Sequence, residues 1–221
     1  MPKKIIITII IFLVLILAGG FFVYKNKFNY CSEYICSVKV EISGEEYNKK
    51  LELIKETKEN IKKDPENLDN YLSLGLYYKS LGELKKAENS YLDGLKIDDK
   101  FYLYYLNLGN ILVDMRDYGS AKESYLKAIE NKAVEPNSYL KLADLLAIQI
   151  KAPDGEIREV YSEGLKNTNN DPNICRSYAS YLEEIKEDNA AADMWQLCLS
   201  KDPNNEAIKG IIEELRNKSS K

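Results

Sequence analysis

The chain has 221 residues, with 31 basic against 35 acidic side chains and no histidine. Its first 27 residues hold four lysines and no acid, leaving 27 basic and 35 acidic residues beyond them, a net charge near −8. That balance excludes nucleic acid and anionic lipid head groups as expected ligands, and the missing histidine removes the commonest general base and metal ligand; no cofactor, metal or catalytic group is indicated.

The first predicted element is "IIITIIIFLVLILAGGFFVY" at 5–24, twenty residues without a charge. A helix of that length spans roughly 30 Å, the thickness of a bilayer's hydrocarbon core. The spacing predicts one N-terminal transmembrane helix within residues 1–27. A cleaved signal peptide is the alternative, with Lys3 and Lys4 as its basic start and Ala18-Gly19-Gly20 as small residues for cleavage. The apolar run continues through Phe21, Phe22 and Val23, which favours a retained anchor. Lys3 and Lys4 on one side nearly balance Lys25 and Lys27 on the other. The very short leading tail favours a cytoplasmic N-terminus, with the remaining chain outside the cytoplasm.

Residues 28–43 read as an extended membrane-proximal linker. "YICSVKVEIS" alternates, with Cys36, Val38, Val40 and Ile42 on one side and Ser37, Lys39, Glu41 and Ser43 on the other. A helix is predicted over 44–63, opened by a capping box of Ser43 with Glu46 and stopped at Asp64-Pro65. Tyr47, Leu51, Ile54 and Ile61 share one face, so this helix is expected to cap the helices after it.

From residue 68 onward the chain repeats. "YLSLG" at 71–75, "YLNLG" at 105–109 and "YLKLA" at 139–143 recur at intervals of 34 residues. Aligned on that motif, the chain divides into units 68–101, 102–135, 136–171 and 172–205, each with two helical patterns. The motif's small residue is Gly75, Gly109, Ala143 and Ala179. Twelve residues later come Ala87, Ala121 and Ala191, with Ile157 displaced by two in the third unit. Then come Tyr91, Tyr125, Tyr161 and Trp195, and finally Gly94, Ala128, Gly164 and Cys198. Two antiparallel helices approach closely only where side chains are small, and the aromatics fill the wedge beside that contact. One pair cannot bury its own apolar faces, so the pairs are expected to stack into an all-α solenoid. In the third unit "QIKAPDGE" carries two extra residues and is expected to protrude as a loop. Ile208, Ile211, Ile212 and Leu215 predict a closing helix over 206–217.

These residues resemble the tetratricopeptide repeat, whose pattern runs W-x2-L-G-x2-Y, then A-x3-F-x2-A, then Pro. The first copy is Tyr71, Leu74, Gly75, Tyr78, Ala87, Tyr91 and Gly94. The second is Tyr105, Leu108, Gly109, Leu112, Ala121, Tyr125 and Ala128. The fourth is Cys175, Tyr178, Ala179, Leu182, Ala191, Trp195, Cys198 and Pro203. The resemblance covers 68–205, and the third copy departs most. It implies a concave face, lined by the first helix of each pair, that grips a peptide or helix of a protein partner. By position that face holds Leu72, Leu76, Leu103, Leu106, Asn107, Asn110, Leu140 and Lys141, and beyond them Asp144, Arg176, Ser177 and Ser180. Asn107, Asn110 and Lys141 are the candidates for hydrogen bonds to a bound backbone. Some members clamp a chaperone's C-terminal carboxylate through basic and amide side chains. Leu72 and Leu76 occupy the first of those positions, so no such clamp is expected. The leucines instead suit a partner's amphipathic helix, or are covered by the protein's own helix at 44–63.

Four cysteines remain. Only the fourth unit has cysteine both at the motif's first position, Cys175, and at its last small position, Cys198. Antiparallel mates bring those positions together, so a disulfide is plausible outside the cytoplasm. Cys31 and Cys36 suit a small ring beside the membrane. Four unpaired thiols in a reducing compartment are the alternative, and a zinc site would need all four to converge. The expected function is that of a membrane-anchored adaptor or scaffold, not an enzyme. The alternative is a permanent subunit of an envelope assembly for secretion, pili or cell wall.

Overall fold

The computed structural model of the protein describes residues 36–219. The predicted span at 5–24 and Cys31 lie outside the described residues. Among those described, no helix is long and apolar enough to cross a membrane.

The described regular structure is all helical. Helix α1 runs Gly44–Lys63, α2 Leu68–Ser80, α3 Leu84–Leu95, α4 Tyr102–Asp114 and α5 Tyr118–Asn131. Next come α6 Pro136–Asp144, continued by a π-helical stretch Leu145–Ile150, α7 Asp154–Asn167, α8 Pro172–Glu184, α9 Asp188–Lys201 and α10 Glu206–Ser219. Short polar side chains open several of them: Ser43 accepts from the Glu46 N–H, Asn67 from Asp69, Asp117 from Ser120, and Asp171 from Asn173 and Ile174. The main contacts join α2 to α3, α4 to α5, α6 to α7, and α8 to α9, then each pair to the next. α1 packs on α2 and α10 on α9. The result is a tetratricopeptide-repeat-like α-solenoid, in which each unit is stabilised chiefly by its neighbours.

The small residues do what close approach requires. A methyl placed on Gly75 would overlap the Tyr91 ring, and one on Gly109 would overlap the Tyr125 ring. Between units, a methyl on Gly94 would overlap Tyr104. The alanines at the matching second-helix position, Ala87, Ala121 and Ala191, are fully buried. The motif's first tyrosine has a separate task. The Tyr71 hydroxyl donates to the Pro65 carbonyl, and Tyr105 repeats the bond to Asp99, each pinning the preceding loop. In the third unit the Tyr139 hydroxyl accepts from the Asn167 amide across the pair. In the fourth, Cys175 and Cys198 form a disulfide between α8 and α9, with Cα atoms 5.7 Å apart.

Residues 37–43 form neither helix nor strand, and the Val38 N–H donates to the Gly82 carbonyl at 2.9 Å. Two features differ from the sequence-based expectation. In α1, Ile54 is buried and Ile61 half-buried, but Tyr47 and Leu51 are exposed. α1 has 20 residues against 13 in α2, so its first turns extend past its partner. The third unit makes no long loop, since its two extra residues are absorbed by the π-helical stretch, ending at Lys151 with φ of 55°. Wider turns there leave Ile148 and Ile150 exposed at the end of the helix.

Burial of the aromatics predicts alkaline unfolding. It pushes the phenols of Tyr91, Tyr104, Tyr125 and Tyr161 well above the ordinary tyrosine range. Tyr181 rises to about 12 through burial and its hydrogen bond to Asp154. Unfolded tyrosine titrates near about pH 10. The unfolded chain therefore loses these protons first, so stability is fully present below that pH and is lost as pH rises. Tyrosinate absorbance and loss of helical circular dichroism are expected to appear together. Tyrosinate forming in full while helicity persists would contradict the packing.

Candidate functional site

The ninth residue of each unit is Leu76, Asn110, Asp144 and Ser180. Since units superimpose along a solenoid, this one position presents in turn a hydrocarbon, an amide, a carboxylate and a hydroxyl. A cavity of about 260 Å³ opens across α2, α4 and α6 around the middle of that series. Lys79, Asn110, Asp114, Tyr125, Lys141 and Asp144 supply its polar lining, and the π-helical extension adds Ile148 and Gln149.

Two of its charges form an ion pair. Lys79 Nζ lies 3.3 Å from the Asp114 carboxylate, bridging the first two units. Asn110 Oδ1 accepts from the Tyr125 hydroxyl at 2.9 Å, which fixes the amide and leaves its N–H groups as donors to the cavity. In the first unit the matching position holds Leu76, and among the described residues the buried hydroxyl of the corresponding Tyr91 has no hydrogen-bond partner. Asp144 is held above the usual carboxylate range by burial, partly offset by Lys141. A cationic or hydrogen-donating group brought to Asp144 would favour its ionised form.

The eight residues expected on the concave face separate into three groups. Leu76 and Lys141 are exposed. Leu72, Leu103, Asn107, Asn110 and Leu140 are half-buried, and the three leucines among them pack on the core. Leu106 is only 9% exposed and is a core residue, so the expectation that it faces a ligand is corrected. The Asn107 amide donates to the Leu103 carbonyl within its own helix, at 2.8 Å. Covering by α1 is incomplete, since Leu76 remains 45% exposed. Of the predicted residues, Asn110 and Lys141 come together in the cavity; Lys79, Asp114 and Tyr125 were missed as lining groups. Lys79 and Asp114 lie at the ends of α2 and α4, where repeat position says little about which side chains bridge units.

The architecture is an α-solenoid of paired antiparallel helices with the tetratricopeptide-repeat fold. The "Tetratricopeptide repeat" family model matches residues 68–101 and 102–134, so two such repeats are present in sequence as well as in form. Over 125 residues the chain is 23% identical to the type IV pilus assembly protein PilF of Pseudomonas aeruginosa, covering 56% of this chain and 49% of that protein. The chain thus spans about half the length of that curated relative. The structure determined for the functional characterization of Pseudomonas aeruginosa PilF aligns with a TM-score of 0.55 at 19% identity, over 70% of this chain and 73% of that one. MamA aligns at 0.57 and 20% identity, over 77% and 99%. YrrB, described as having an unusual peptide-binding site, aligns at 0.54 and 17%, over 74% and 84%. At these identities the structural likenesses establish the fold alone.

Proposed function

We propose that the protein is a membrane-anchored scaffold that holds a segment of a partner protein against the shared face of α2, α4 and α6. The observation that carries this reading is the cavity joining three successive first helices, with oriented amide, ammonium and carboxylate groups on a rigid support. Residues 5–24 serve as the anchor, the N-terminus lies in the cytoplasm, and the repeats lie outside it. The disulfide between Cys175 and Cys198 supports that placement, because such bonds persist in oxidising compartments.

The test uses the full-length chain in its native membrane. A photo-crosslinking amino acid at Leu76 or Lys141 is expected to trap one discrete partner, whereas the same group at exposed Leu126 on α5 traps none. Leu76→Asp with Lys141→Glu should weaken capture at least tenfold and move Tm by no more than about 2 °C, since both sites are exposed. Capture that survives the double change would place binding elsewhere. Deleting 5–24 should release the chain from carbonate-washed membranes; retention would overturn the anchor.

A second reading is a permanent structural subunit of an envelope assembly, and the likeness to a type IV pilus assembly protein supports it. A crosslinked complex of fixed stoichiometry that does not exchange with added free chain would favour this reading over ligand capture.

A further inference from the structure

A second cavity, of about 790 Å³, lies at one end of the first two pairs, next to the cavity on α2, α4 and α6 and sharing Lys79 and Asp114 with it. Residues 37–40 form one wall, Asp114 at the end of α4 with Met115 and Arg116 after it form the other, and Lys79, Gly82 and Leu84 lie between. Its size suits a bound peptide segment or small ligand.

Gly82 explains how the wall at 37–40 is seated. In the other units the turn between paired helices also has a left-handed residue: Arg116 at φ 63°, Lys151 at 55° and Lys186 at 62°. A left-handed backbone at this turn therefore does not by itself require glycine. Gly82, at φ 74°, differs in what lies on top of it. A methyl there would fall on the Val38 carbonyl oxygen and meet Val40 Cγ2 at 3.0 Å. The missing side chain is what allows the segment to settle on the turn and donate the Val38 N–H to Gly82.

The seated segment has unused capacity. Among the described residues, the backbones of Lys39 and Val40 form no backbone hydrogen bond. Val38 and Val40 stay well exposed. The cavity lining carries Lys39, Lys79 and Arg116 against Asp114 alone, a local excess of positive charge on a chain whose net charge is −4. Lys79 is paired with Asp114, while Lys39 and Arg116 have no ion pair among the described residues.

We propose that this cleft binds an extended acidic segment of a partner protein. The segment lies alongside residues 38–40, pairs with their free backbone groups, rests apolar side chains on Val38, Val40 and Met115, and sets carboxylates between Lys39 and Arg116. This site adjoins the cavity on α2, α4 and α6, with which it shares the Lys79–Asp114 pair, but Lys39, Val38, Val40 and Arg116 belong to it alone.

The probe is a fluorescein-labelled decapeptide of alternating valine and glutamate, added to the full chain in detergent micelles and monitored by fluorescence anisotropy. Saturable binding that weakens at least fivefold at high salt is expected. Gly82→Lys installs the residue that the fourth unit already accommodates at this turn. It should displace the segment and weaken binding at least tenfold, with the melting profile of the repeats retained. Lys39→Glu with Arg116→Glu should do the same without displacing the segment. A peptide with lysine in place of glutamate should not bind, and methylating alternate backbone nitrogens should abolish binding. Absence of saturable binding, equal binding by the lysine peptide, or full binding to Gly82→Lys would each overturn the proposal. Undiminished binding of the methylated peptide would exclude backbone pairing and leave a site of a different kind from the one proposed.

Discussion

Gly109→Ala is expected to lower stability by about 2 kcal/mol, although alanine is ordinarily the better helix former. Exchanging glycine for alanine within an exposed helix gains roughly 0.5–1 kcal/mol. At Gly109 the added methyl lands on the Tyr125 ring. That ring is buried, and its hydroxyl is tied to Asn110, so moving it aside breaks that hydrogen bond. Overpacking of this kind costs about 1–3 kcal/mol, and severe overlap puts it at the upper end. Strain therefore exceeds propensity, and Tm should fall by roughly 5 °C. Gly210→Ala provides the opposite sign within the same protein. It sits inside α10 with nothing within 4 Å of the added carbon, so a gain of about 0.5–1 kcal/mol is expected. Thermal melts of the two variants should move in opposite directions. A Gly109 variant as stable as the parent would mean that the α4–α5 contact is looser than the structure shows.

Removing the cross-link between Cys175 and Cys198 is expected to have the larger effect, and a local one. The bond closes 23 residues of chain, for which loop entropy gives about 3 kcal/mol. Cys175→Ala with Cys198→Ala should match reduction of the parent, apart from a small packing loss, because both side chains are buried. In a solenoid each pair leans mainly on its neighbours, so the loss should not spread evenly. Hydrogen exchange in α8, α9 and α10 is expected to accelerate by roughly a hundredfold, while α2 to α5 change little. Uniform acceleration along the whole chain would show instead that the units fold as one block. Unchanged exchange after reduction would show that the bond adds nothing to the last pair.

Much of the architecture was legible because the repeat imposes one solution several times. An aromatic, a leucine and a tiny residue at intervals of 34 residues have few packings available, and agreement among copies removes the ambiguity any single copy would have. Cys175 and Cys198 were legible as neighbours for the same reason, since they occupy repeat positions that face each other. Legibility stopped where a residue's fate depends on its neighbours in space. Leu72 and Leu106 occupy the same repeat position, yet the first is half-buried and the second is buried at 9% exposure. Helical position gives the direction of a side chain but not how far the next helix reaches across it.

The sequence by itself therefore determined the helix pairs, their stacking into a solenoid and the small-against-aromatic contacts, because these arise from local periodicity and from volume. Only the tertiary structure decided three other matters. It absorbed the two extra residues of the third unit into a π-helical stretch, because backbone hydrogen bonding there outweighed the loop-forming character of the residues just beyond it. It joined Lys79 to Asp114 across units, a contact set by the rotation from one pair to the next. It also gave Gly82 its purpose. Its counterparts show that the turn does not require glycine, and the need arises only when residues 37–40 come to rest upon it. That is a contact between segments more than forty residues apart, beyond the reach of any local pattern.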